Sequence, residues 1–172
     1  MIDSLSRAYG KLLFGLFAIA CLLLLAMTLM IGADVLTRNL DIASMAWTNE
    51  VSEMMLSWMT LLSAPLLLRR GEHIRVDILL RAFPPRLGWA CEWLVDVLGL
   101  LCAIVLAVYG FSVTHDSFIG GGMITKTLET PEWWSTTPWV ICFVLMAIEF
   151  LFRMHRLAHA EHRPRHDAVS AA

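Results

Sequence analysis

Four long apolar stretches separated by short polar ones dominate the order of residues along this chain. The first runs from Leu12 to Ala33 without a charge, between Lys11 and Asp34. The second starts at about Trp47 and ends at Leu68, with Glu50 and Glu53 in its opening turns. The third extends from about Trp89 to Val113 and carries Glu92 and Asp96 near its start. The fourth, from about Trp133 to Phe152, has Pro138 in its first turns and Glu149 in its last. About 20 residues of helix, at 1.5 Å each, cross the roughly 30 Å hydrocarbon layer of a bilayer. The pattern therefore predicts an all-α polytopic membrane protein with four transmembrane helices, at about 12–33, 47–68, 89–113 and 133–152. Pro65 predicts a bend toward the far end of span two. Tryptophans at 47, 89, 93, 133, 134 and 139 cluster at the run ends, as an interfacial belt does. A cleaved signal peptide has an apolar core of about 7–15 residues that ends at small residues. The first run continues well past Cys21, with Ala18-Ile19-Ala20 in its middle, so span one is expected to stay in the membrane.

The polar stretches carry their own signals. Between spans two and three, Ile74, Ile78, Leu79, Ala82 and Phe83 recur at helical spacing, while Arg75, Asp77 and Arg81 take other faces. That predicts a short amphipathic helix lying in the membrane interface, ended by Pro84-Pro85. After span three, Gly120-Gly121-Gly122 and Pro131 predict a flexible, turn-rich loop. Beyond about Leu157 the chain turns polar. Residues 1–157 are read as a single four-helix membrane domain and 158–172 as a polar, disordered tail.

Composition agrees with the pattern. Of 172 residues, 58% are hydrophobic and 16% charged, and the mean hydropathy is +0.68; a soluble domain has about a quarter of its residues charged. The net charge of −2 and the lack of a basic stripe with interleaved aromatics exclude a nucleic-acid partner. Charge placement sets the orientation. Arg7 and Lys11 precede span one, five arginines from Arg69 to Arg86 lie between spans two and three, and Arg153, Arg156, Arg163 and Arg165 follow span four. Only Arg38 and Lys126 lie opposite. The excess of Lys and Arg on one side places both termini in the cytoplasm.

Candidate chemistry is sparse. Cys21, Cys91, Cys102 and Cys142 are isolated in or beside apolar runs and read as small hydrophobes, with no pairing of cysteine and histidine to suggest a metal site. No span interior holds a histidine, so the bis-histidine haem of a redox membrane anchor, the alternative function considered, finds no ligands. The tail series His155, His159, His162, His166 has helical spacing but is interrupted by Pro164 and reads as a polar tail. Charged residues at membrane depth are functional candidates by default, yet Met54–Leu68, Val97–Val113 and Val140–Ile148 carry none. A self-sufficient exporter would need a mid-membrane ionisable residue, so this chain is not expected to transport alone. Glu50 and Glu53, one turn apart on a helix face, have two readings: a helix start favoured by the dipole, or a salt bridge to Arg38 or to a partner subunit. Glu92 and Asp96 are expected to pair with Arg86 and its neighbours, and Glu149 with Arg153. Gly99, Ala103 and Ala107 recur every four positions and would let a neighbouring helix approach closely.

Four strings in register carry a family resemblance. Trp47-Thr48-Asn49-Glu50-Val51-Ser52-Glu53, followed by Trp58, resembles the start of the second span in the small membrane (DctQ-like) subunit of tripartite ATP-independent periplasmic (TRAP) transporters. Arg69-Arg70-Gly71-Glu72-His73-Ile74-Arg75-Val76-Asp77, ending in Pro84, is similar to that family's most recognisable loop. Arg38 matches the arginine usual after span one, and Pro131-Glu132-Trp133-Trp134, then Pro138, resembles the beginning of span four. The resemblance covers about residues 10–155; Ser63-Ala64-Pro65 departs from it, where the family more often has a Gly-Ala pair. It implies a multi-pass protein of the bacterial inner membrane that is not an enzyme and holds no cofactor. Its partners would be a large (DctM-like) membrane subunit that carries substrate and sodium sites and a periplasmic (DctP-like) substrate-binding protein, usually for an organic acid. The small subunit would brace the large one and help dock the binding protein. Arg38, Trp47, Glu50, Glu53, Trp58, Arg69, Arg70, Gly71, His73, Asp77, Pro131, Trp133 and Pro138 are then candidates for interface or structural roles.

Overall fold

The structure, a computed structural model, describes residues 2–41, 47–70, 85–125 and 128–158. The expected interfacial helix, the candidates Gly71, His73 and Asp77, and the tail beyond Ala158 lie outside them.

Inside hydrocarbon a backbone has no water to bond, so each apolar run must satisfy its N–H and C=O groups within itself, which only a helix does. Among the described residues four helices result: α1 (Ile2–Asn39), α2 (Thr48–Arg70), α3 (Pro85–Gly120) and α4 (Glu132–Ala158). All four are long and apolar enough to cross a membrane, as the hydropathy pattern predicts. They overrun the predicted spans. α1 has 38 residues and α3 has 36, so each exceeds about 50 Å at 1.5 Å per residue and reaches beyond the hydrocarbon layer. α2 continues through Pro65, which is buried. Pro85 opens α3, where its missing N–H leaves no helical acceptor unsatisfied.

The loop after α3 is more ordered than its glycines suggest. Gly121 takes φ +63°, and the Gly122 N–H donates to the Ser117 carbonyl at 3.2 Å, the helix-ending arrangement that a residue without Cβ accommodates best. A two-stranded antiparallel hairpin follows, β1 (Met123–Thr125) with β2 (Glu129–Pro131), in which Ile124 faces Thr130. Strands of three residues are too short to leave an alternating pattern, so the sequence shows only the turn chemistry around them.

Spatial order differs from chain order. α1 packs on α2, α2 on α4 and α4 on α3, giving an open layer in the order α1–α2–α4–α3. Burial matches these positions: 11% of the apolar window is buried in each edge helix, α1 and α3, against 22% in α2 and α4. Phe14 and Leu22 on α1 and Leu101 and Phe111 on α3 are exposed, surface that lipid or another membrane helix can cover. The described apolar core is small. Leu68, Ala103 and Phe150 form it, with Leu100, Met146 and Ala147 against them.

The stripe of small residues serves this internal contact. A Cβ built on Gly99 would overlap the ring of the buried Phe150, and one on Gly110 would lie 3.5 Å from Val140 Cγ2; Ala103 is buried in the same seam. The helix that approaches this stripe is therefore α4 of the same chain. Gly99→Val is expected to separate α3 from α4 at a cost of about 1–3 kcal/mol, the usual penalty for overfilling a packed seam. A lower thermal midpoint in detergent, with Gly15→Val unchanged because nothing lies within 4 Å of that position, would confirm it.

Candidate functional site

Polar side chains gather at two places, one at each end of the layer. At the end where α1 begins and α4 finishes, five charged groups from α2, α3 and α4 join polar groups of α1. Arg69 donates from Nη1 to Glu149 Oε2 at 3.2 Å, and from Nη2 to the Ser6 carbonyl at 2.8 Å and to Ser6 Oγ at 3.0 Å. Its guanidinium lies 5.8 Å from the centre of the Tyr9 ring and close over Gly10, where a Cβ would sit 3.2 Å from Arg69 Cζ. The Tyr9 hydroxyl donates to the Leu145 carbonyl at 2.7 Å, and its ring meets Phe152 at 5.5 Å. Glu149 also accepts from Arg156 Nη2 at 2.6 Å. Arg153 pairs with Asp96 at 2.9 Å and reaches the Leu68 carbonyl at 3.4 Å, one of the acceptors left open where α2 ends.

The two carboxylates are almost wholly sealed: the side chain of Glu149 is 0% exposed and that of Asp96 is 1%. A buried ion costs several kcal/mol unless paired and hydrogen-bonded, so each carboxylate fixes a guanidinium from another helix or another turn. Glu149 holds both Arg69 and Arg156, of which Arg156 is the more exposed, at 42% against 19%.

Helical geometry explains why Glu149 and Arg153 do not pair with each other as their spacing suggests. Seven residues fall about 20° short of two full turns, whereas four overshoot one turn by about 40°. Arg156 therefore shares the face of Glu149 that looks to α1 and α2, while Arg153 is rotated toward α3 and Asp96. The Arg86 side chain expected near Asp96 lies outside the described residues.

At the opposite end the hairpin folds back over α2. Glu50 Oε2 accepts a hydrogen bond from the Leu128 N–H at 2.8 Å, so this carboxylate anchors the link between β1 and β2. Glu50→Ala is expected to speed hydrogen exchange at the Leu128 amide by roughly 10- to 150-fold, since a hydrogen bond to a charged acceptor contributes about 1.5–3 kcal/mol; Glu50→Gln, which keeps an acceptor oxygen, should restore part of the protection. Beside Glu50 lies a groove of about 660 Å³. α1 supplies Leu16, Ile19 and Leu23, α2 supplies Met55 and Leu62, and α4 supplies Ile141. A smaller cavity of about 220 Å³ adjoins it, sharing Glu50, Met54, Trp58 and Thr130 and adding Glu53, Ser57 and Ser135.

The remaining predicted residues divide between these ends. Arg38 pairs within α1 with Asp34 at 3.1 Å, which replaces the bridge to Glu50 or Glu53 that the sequence allows. Trp47 precedes α2 and is exposed, its carbonyl accepting the Val51 N–H at 3.2 Å. Arg70 lies 5.9 Å from the Phe17 ring. Pro131 closes β2 opposite Met123. Trp133 meets the Phe118 ring edge-on at 5.7 Å and stacks on Trp134 at 6.3 Å, and Pro138 is buried within α4. Ser6, Tyr9 and Asp34 were not singled out by the sequence. Tyr9 lies near the charged start of span one and Asp34 at its far border, where each reads as an ordinary flanking residue.

Four membrane-crossing helices with polar groups tied together at the layer ends define a polytopic membrane subunit. Residues 27–159 match the family model of the DctQ component of tripartite ATP-independent periplasmic transporters, and the chain belongs to this family. Comparison with curated proteins returned no match. It is the small subunit of a transporter of this kind, a component that works with others in a three-part system. The family is one of transporter components, not of enzymes.

Proposed function

We propose that this chain is the small permease subunit that braces the large (DctM-like) membrane subunit of a solute importer driven by an ion gradient. Sodium is the coupling ion and an organic acid the solute in this reading. The protein sits in the bacterial inner membrane with its termini in the cytoplasm, and its hairpin end helps dock the periplasmic (DctP-like) substrate-binding protein. The observation that supports it is the open layer. Its buried charges hold the helices to one another at one end, while the broad apolar faces of α1 and α3 are left for a partner to cover. The excess of Lys and Arg at the terminal end favours this orientation.

The test is purification of the tagged chain from native membranes in mild detergent. A large polytopic protein recovered in near-equal amount, and uptake by liposomes that requires both subunits and the periplasmic protein, is the expected result. Recovery with a soluble redox enzyme, or transport by this chain alone, would sink the proposal.

A further inference from the structure

We draw no further inference here: the strongest candidate, the open apolar groove between α1 and α4 over α2, carries nothing because nothing in the structure shows what covers it.

Discussion

Arg69→Met is expected to lower the thermal midpoint of the detergent-solubilised protein by about 10 °C. Breaking a buried ion pair from one side costs about 3–5 kcal/mol, and each kcal/mol is worth roughly 2–4 °C in a chain of this size. The loss falls at the low end of that range, because Glu149 keeps Arg156 at 2.6 Å. What it cannot keep is the link to α1. Arg69 is the side chain that joins Ser6 to Glu149, so the first turns of α1 lose their hold on α2 and α4. Faster amide exchange from about Ser6 to Lys11 should accompany the lower midpoint. Glu149→Leu alone strands two guanidinium groups and should be worse than Arg69→Met. The double variant should be milder than the sum of the singles by roughly 1–3 kcal/mol, as expected for residues in direct contact. An unchanged midpoint for Arg69→Met, with α1 exchange unaltered, would show that the pair does not hold the layer.

The four spans were legible because each is an uninterrupted apolar run, and a helix is the only economical solution for such a run in hydrocarbon. The strings around Glu50, Arg69 and Pro131 were enough to suggest the family. What the sequence could not show was which helix lies beside which. The pairing of Arg69 with Glu149 spans 80 residues, and nothing at either position distinguishes it from the nearer choice of Arg153. Gly99 illustrates the same limit: its spacing with Ala103 and Ala107 announces a close neighbour, and only the structure makes that neighbour α4 through Phe150. The hairpin escaped because three-residue strands carry no periodicity. Glu50 was flagged as a helix-start or interface residue; its bond to the Leu128 amide is a third use that spacing along one helix does not reveal.

The layer also explains a pattern that composition leaves odd: a membrane subunit with charged residues in three of its four apolar runs. The ion pairs of Glu149 and Asp96 lie toward one end. There they join the helices while leaving the exposed faces apolar, so charge and partner surface do not compete for the same residues. In the proposed bracing role that separation is useful, because the shape is fixed before a partner arrives.

Asp96→Leu tests which edge of the layer the proposed large subunit contacts. The substitution leaves the Arg153 side chain, 11% exposed, beside a hydrocarbon group in place of a carboxylate, and the expected cost is again about 3–5 kcal/mol. α3 is held by α4 alone among its substantial packing contacts, so the loss concentrates there, and α1, α2 and the Arg69 network should keep their exchange protection. Adding Arg153→Met removes the stranded charge and should recover much of the stability, because replacing a buried pair by apolar groups is often near neutral. Co-purification of the large subunit then reads out the consequence. If Asp96→Leu loses the partner and the double variant regains it, the α3 edge forms the contact and the ion pair acts by positioning it. If the partner stays bound while α3 exchanges freely, the contact lies on the α1 edge, and the Asp96–Arg153 pair serves stability only.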